Sequence, residues 1–233
     1  MNSGNRPPAA KAAPRLEELR HQFTVMLQES DRRGAQRLLR EALGAGYSPS
    51  QLLKEVVSPA IDTTARSWAE HHELSLSQIY VAGLIIKDAA DLLSVGREAG
   101  EKPVGKIVIG VAEGDHHGLG RLLVSAFLRS AGFDVIDLGL TVSPKAFVDT
   151  ALAEGADIIA ISALMVEPAM GIREVRREME RRGIKHIPLL VGGAPFRYNP
   201  ELVKLVGADA TAPNAYEAIT VARRLLEEKR RGQ

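Results

Sequence analysis

One short turn carries the residue types best suited to chemistry. The segment GVAEGDHHGLGRLL, residues 110–123, ends an apolar run with Asp115, His116 and His117 and then begins a helical pattern. Imidazole nitrogens can transfer protons or bind metals, so adjacent histidines raise the question of a metal site. Adjacent histidines diverge on a turn, and no third and fourth ligands are evident, so the pattern disfavours a zinc site. The turn alone does not select which histidine acts.

The elements that must position this turn alternate between strand and helix. Short β-branched runs, KIVIGVA, FDVIDLG, DIIAIS and IPLLVGG, with a weaker ADATA, are separated by helical segments. Alternation at this spacing predicts a parallel sheet with right-handed crossovers. We therefore expect an α/β, doubly wound domain of the flavodoxin or Rossmann-like type with five strands.

In such a sheet, ligands bind beyond the carboxyl ends of the strands. Three conspicuous segments fall at that edge: EGDHHGLG after the first strand, SALMVEP after the third and GGAP after the fourth. Because the segments are far apart in sequence, their agreement supports a binding site better than any one of them does.

The first part of the chain has a helical period instead. Between Arg15 and about Val95, apolar residues recur at three- and four-residue spacing in four successive segments. SPSQ at 48–51 and SLSQ at 75–78 have the form of capping boxes, which begin helices. Pro59 lies inside the third segment and is expected to kink it. The pattern predicts a four-helix bundle in front of the sheet domain.

The changes of pattern also set the expected domain boundaries. Residues 1–14 are rich in Pro and Ala, which is typical of a disordered tail. We expect residues 15–97 to form the helical domain, residues 98–103 a linker and residues 104–233 the sheet domain.

Composition narrows the function classes. The net charge of +1 and the aromatic content of 4% give no basis for binding nucleic acid or an anionic membrane. The chain has no cysteine, which excludes disulfides, thiolate catalysis and Cys-ligated zinc. No apolar run suits a signal peptide or a membrane span, so we expect a cytoplasmic protein.

Several common motifs of α/β proteins do not fit. The segment GLGRLL, 118–123, has two of the three glycines of a dinucleotide loop, and no Gly-Lys-Ser/Thr follows, which disfavours nucleotide binding. A response-regulator receiver needs an Asp where Ser162 ends the third strand. A Ser–His–Asp hydrolase needs a G-x-S-x-G elbow, which the sequence does not contain.

A different set of residues fits the three strand ends. Asp115, His117 and Gly120 spell D-x-H-x-x-G, residues 162–164 spell S-x-L, and residues 192–193 are a glycine pair. In this order the set resembles the cobalamin-binding family, most closely the corrinoid proteins of methyltransferase systems and the cobalamin-binding region of methionine synthase. The helical region resembles the cap module that precedes the domain in those proteins, so the likeness covers about residues 16–228.

The resemblance implies roles for the residues of the three segments. Cobalamin bound with its lower base displaced would take His117 as the lower axial cobalt ligand, with Asp115 hydrogen-bonded to the far ring nitrogen. Ser162 would hydrogen-bond the displaced base, and Gly192 and Gly193 would let the nucleotide tail pass. The residues expected to contact the cofactor are Gly114, Asp115, His116, His117, Gly118, Leu119, Gly120, Ser162, Leu164, Met165, Val166, Gly192, Gly193, Ala194, Asn214 and Ala215.

In the sheet domain, the sequence departs from the family pattern at two places. Arg121 and Leu122 replace the usual Lys-Asn, and residues 165–168 hold no hydroxyl that could extend a relay from the motif aspartate. In the helical region, Trp68 and Gln78 are the candidates for covering the upper corrin face.

The resemblance implies a corrinoid methyl carrier that would not turn over alone. Its expected partners are a substrate-specific methyltransferase and a second methyltransferase or a reductive activase. A homodimer is a further prediction. The alternative is a cobalamin-dependent sensor without a DNA-binding domain of its own. The sequence does not identify the methyl donor or the methyl acceptor.

Overall fold

The N-terminal part of the chain is helical. The computed structural model describes residues 15–71, 76–93 and 102–231, so the predicted tail and most of the predicted linker lie outside the described residues. The helices of this part are α1 (Leu16–Gln28), α2 (Arg32–Gly44), α3 (Pro49–Leu52), α4 (Ser58–His71) and α5 (Leu76–Leu93). Their apolar stripes meet in one core, in which Phe23 and Leu52 are fully buried.

The third predicted helix is divided by a π-helical segment. Ser48 begins it with the expected capping box, because its hydroxyl accepts from the Gln51 amide and the Gln51 side chain accepts from the Ser48 amide. The π-helical segment (Leu53–Val57) joins α3 to α4 directly before Pro59. Proline has no amide hydrogen to donate and clashes with the carbonyl four residues earlier, so a shifted hydrogen-bond ladder at this position accommodates it. The second expected capping serine, Ser75, lies outside the described residues.

The C-terminal part contains the predicted five-stranded parallel sheet. Its strands are β1 (Lys106–Val111), β2 (Asp134–Asp137), β3 (Ile158–Ser162), β4 (Leu189–Gly192) and β5 (Ala210–Thr211). They pair in the order β2-β1-β3-β4-β5, and every pairing is parallel. This flavodoxin-like order reverses beside β1, so the loops after β1 and β3 flank one crevice at the carboxyl edge.

Helices cover both faces of the sheet. One face packs against α6 (Leu119–Ser130) and α12 (Glu217–Arg231). The other face packs against α7 (Pro144–Glu154), α8 (Val166–Gly171) and α9 (Arg173–Arg181), with α10 (Ala194–Tyr198) and α11 (Glu201–Leu205) at its edge. The short helix α8 was not expected, because a single turn of helix after a strand has too few residues to show a period.

The helical region packs on the outer side of α6. Ala126 and Phe127 of α6 belong to the same buried cluster as the residues of α1 to α5. No helix within the described residues has the length and apolarity needed to span a lipid bilayer. The domain boundaries at 97 and 104 and the cytoplasmic location stay predictions.

Candidate corrinoid site

Asp115 is the organising residue of the turn after β1. It is 1% exposed, and both of its carboxylate oxygens accept hydrogen bonds from the backbone. Oδ1 accepts from the His117 amide at 3.0 Å, whereas Oδ2 accepts from the amides of Leu164 at 2.6 Å and Met165 at 3.1 Å. These last two amides follow β3, so the carboxylate joins the loops of two neighbouring strands.

The hydrogen bonds also keep Asp115 ionised. Burial raises the pKa of its carboxyl, but the three backbone amides and the His117 ring outweigh burial and lower the pKa to about 2. The backbone amides therefore satisfy the Asp115 carboxylate as hydrogen-bond donors. Residues 165–168 contain no hydroxyl that could donate to it.

This pKa makes stability depend on pH in a testable way. Because the folded-state pKa lies below the unfolded value, Asp115 stabilises the protein above about pH 4 and loses that contribution as the pH falls toward 2. We expect Asp115→Asn to remove about 2 kcal/mol of the decrease in unfolding free energy between pH 5 and pH 2. Urea unfolding of the two cofactor-free proteins at both pH values measures the difference. Equal decreases in both proteins would contradict the prediction.

His117 presents one ring nitrogen outward. Its Nδ1 lies 2.7 Å from Asp115 Oδ1, and its side chain is 53% exposed. Since an ionised carboxylate can only accept, Nδ1 is the donor in this contact, and Nε2 is the nitrogen left to bind a metal. His116 is exposed, and no contact ties it to Asp115. The structure therefore distinguishes the two histidines by their contacts with Asp115, and the role of His117 as cobalt ligand stays a prediction.

An apolar rim surrounds this turn. Leu140, Leu164, Met165 and Val166 are large apolar residues that are between 42% and 60% exposed. Leu164 and Met165 are tied to Asp115 through their amides, and Leu140 lies against Gly118. A flat ligand with apolar faces is suited to such a surface.

A cavity of about 280 Å³ opens beside the turn. It runs between the carboxyl ends of the strands and the face covered by α6 and α12. Seven of the expected cofactor contacts line it: Gly120, Ser162, Gly192, Gly193, Ala194, Asn214 and Ala215. Sequence reasoning missed three lining residues from α4, which are Ser58, Ile61 and Asp62.

The two glycines after β4 differ in their surroundings. A Cβ at Gly193 would lie 1.9 Å from the Ala163 carbonyl oxygen, and the φ of Gly193 is +116°. A Cβ at Gly192 would meet nothing within 4 Å, because this residue borders the cavity. Gly193 is thus required by the fold, whereas Gly192 leaves room for a ligand.

The remaining expected contacts lie elsewhere around the edge. Gly114, Met165 and Val166 line a second groove of about 680 Å³ on the sheet face that packs against α7 and α9. Leu119 packs against the core of the helical region. Gln78 lies on α5, and the side chain of Trp68 is outside what the structure describes, so their expected role above the corrin stays a prediction.

Comparison with known proteins agrees with this arrangement. Residues 105–220 and 19–94 match two family models, both described as B12 binding domain. The chain is 31% identical to monomethylamine corrinoid protein 1 of Methanosarcina mazei over 91% of this chain and 99% of that protein. It is 34% identical to dimethylamine corrinoid protein 3 of Methanosarcina acetivorans over 80% of this chain and 87% of that protein.

A solved structure is similar to this chain over nearly its whole length. The monomethylamine corrinoid protein of Methanosarcina barkeri superposes with a TM-score of 0.78 at 28% identity, and the match covers 91% of this chain and all of that chain. The helical region and the sheet are therefore shared as one arrangement. This chain belongs to the B12-binding corrinoid protein family, and its cofactor is a cobalamin-type corrinoid.

Proposed function

We propose that this protein is the methyl-carrying corrinoid subunit of a methyltransferase system and that His117 is the lower axial ligand of its cobalt. The observation that carries the proposal is the Asp115–His117 pair, in which Nδ1 is held at 2.7 Å by a buried carboxylate. A second partner on the far nitrogen fixes the tautomer and raises the basicity of a metal-binding histidine. One imidazole nitrogen suits a metal whose equatorial positions are already filled by a macrocycle.

The cavity beside the turn fits the rest of the cofactor. With His117 on the metal, the lower base of the corrinoid needs a place away from the cobalt. The cavity provides it, since Gly192 leaves open space along its wall and Ser162 can donate or accept a hydrogen bond there. Its lining includes the strand residues Ile109, Ala160 and Leu190, which suit the apolar faces of a base.

The chain's own residues then have separate tasks. Asp115 orients His117, the apolar rim excludes water from the face where the corrin lies, and the cavity holds the tail. When bound, the corrinoid supplies a cobalt centre that takes a methyl group from one substrate and gives it to another. The protein supplies binding and orientation and is not expected to turn over alone.

A methylated amine is the proposed source of the methyl group. The relatives at 31% and 34% identity are named for monomethylamine and dimethylamine, and the match with the first spans nearly the whole of both chains. We propose that a substrate-specific methyltransferase and a second methyltransferase or a reductive activase bind this protein in turn. The homodimer stays a prediction.

Reconstitution with hydroxocobalamin tests the function. The holo-protein is reduced to the cobalt(I) form and mixed with a methylamine methyltransferase and monomethylamine, dimethylamine or trimethylamine. We expect the visible spectrum of methylated cobalt to appear with one of these amines. It should not appear when the methyltransferase is omitted. Failure to accept a methyl group from any of them, together with a change of oligomeric state on illumination of the adenosylcobalamin form, would contradict the carrier and favour the sensor.

A further inference from the structure

Arg121 is a buried charge beside the candidate site. It lies on the first turn of α6, and only 9% of its surface is exposed. Its Nη1 donates a hydrogen bond to the carboxylate of Asp137 at the end of β2, and the two form an ion pair. A buried charge persists in a protein where it is paired, so this contact is a fixed link between α6 and β2.

The same aspartate begins the loop between β2 and α7. Its Oδ1 accepts a hydrogen bond from the Gly139 amide at 2.9 Å, while Oδ2 binds Arg121. The Gly139 carbonyl in turn accepts from the Val111 amide at 2.9 Å. Arg121 therefore helps to set the place where this loop leaves the sheet.

The loop lies against the His117 turn at two points. The Thr141 hydroxyl accepts a hydrogen bond from the Gly114 amide at 2.9 Å. The Leu140 side chain is so near that a Cβ at Gly118 would lie 2.8 Å from its Cδ2. Thr141 has a φ of +47°, which a β-branched residue adopts only where its surroundings hold it. The loop is thus fixed between Asp137 and the turn.

The shape of the guanidinium accounts for an arginine at this position. While Nη1 binds Asp137, Nη2 lies on the side of the turn, 3.6 Å from the place that a Cβ at Gly118 would take. A lysine has a single terminal nitrogen and cannot occupy both places.

We propose that Arg121 is a positioning residue for the cobalt ligand. Through Asp137 it holds the β2–α7 loop against the turn, and its Nη2 fills space next to Gly118, the residue after His117. The held loop limits the orientations that the imidazole can take. The inference rests on the proposed role of His117 as the lower axial ligand, and Arg121 acts without touching the metal.

The test compares R121K, R121M and R129M in the full-length protein reconstituted with cobalamin and reduced to the cobalt(II) form. Electron paramagnetic resonance gives the ratio of cobalt coupled to an axial nitrogen to cobalt without one. We expect R121M to lower this ratio about tenfold, as the loss of an outer support of a metal ligand does, and R121K to lower it by less. Arg129 is the matched control, because it is on the same helix and donates to the Val135 carbonyl away from the turn.

Each outcome decides the question. A wild-type ratio in R121M, or an equal loss in R129M, would overturn the positioning role. If R121M fails to fold, as judged by its thermal unfolding without cofactor, R121K decides, and a wild-type ratio in R121K would overturn the role. H117A separates this inference from the proposed function: coupling to a protein nitrogen, identified by heavy-nitrogen labelling of the protein, that survives in H117A refutes the ligand assignment and the inference with it. Loss of coupling in H117A but not in R121M refutes the positioning role alone.

Discussion

Replacing His117 with alanine is expected to remove the axial nitrogen from the cobalt altogether. The imidazole is held by Asp115 at Nδ1 and is about half exposed, whereas no hydrogen bond to Asp115 orients His116 on the same turn. Loss of the ligand leaves the cavity and the apolar rim intact, and the corrinoid should still bind, at least about tenfold more weakly. The visible spectrum of the methylcobalamin complex and the nitrogen coupling of its cobalt(II) form measure the coordination, and fluorescence or dialysis titration measures the affinity.

The neighbouring residue offers a matched control for this substitution. His116 is on the same turn, is exposed and has the same side chain, yet it lacks the contact with Asp115. His116→Ala should therefore keep the wild-type spectrum and bind the corrinoid within about twofold of the wild type. If the His116 variant lost nitrogen coupling while the His117 variant kept it, the assignment of the two histidines would have to be exchanged.

Gly193→Ala is expected to have the largest effect on the fold. A Cβ at this position would lie 1.9 Å from the Ala163 carbonyl oxygen, and the φ of +116° is already unfavourable for any side chain. The chain must move where β3 and β4 end together, so we expect a loss of at least about 3 kcal/mol in unfolding free energy. Urea or thermal unfolding of the cofactor-free protein measures the loss.

Gly192→Ala separates the binding role from the structural one. Its Cβ would enter open space at the wall of the cavity, so the unfolding free energy without cofactor should change by less than about 1 kcal/mol. The corrinoid affinity should fall, because the added methyl group occupies volume needed by the nucleotide tail. Unchanged affinity in Gly192→Ala would show that the tail does not pass this residue.

A Gly193→Ala protein as stable as the wild type would contradict the predicted loss of unfolding free energy. It would show that the loop after β4 can relax around the added Cβ.

Patterns in the sequence predicted the features that depend on local rules. Ser48 and Gln51 form the expected capping box because each bonds the backbone within one turn of chain. The strand ends were predictable because β-branched runs alternate with helices along the sequence. The carboxyl ends of parallel strands lie at one edge of the sheet, which places residues 162 and 192 at the cavity. The role of Asp115 was predicted from the family motif, whereas its hydrogen-bond donors are seen only in the structure.

Features that depend on contacts between distant segments were not predictable. The amides of Leu164 and Met165 donate to Asp115, but an amide is present at every residue except proline and gives no signal in a sequence. The buried ion pair of Arg121 with Asp137 joins a helix to a strand, and only the pairing of β1 with β2 brings the two together. The contribution of α4 to the cavity depends on how the helical region packs on α6.

The tie between Asp115 and the loop after β3 has a consequence for folding. The two amides that complete the turn are 49 and 50 residues further along the chain, so the turn cannot take its final form until β3 has paired with β1. Such non-local contacts form late, because the intervening chain must first be closed into a loop. A nascent chain that ends before residue 164 lacks both amides that complete the Asp115 turn.

The corrinoid therefore distinguishes the finished protein from its folding intermediates. A ligand that binds the native state alone stabilises it by mass action. The cofactor-free protein lacks this contribution, so its unfolding free energy is expected to be lower than that of the corrinoid complex.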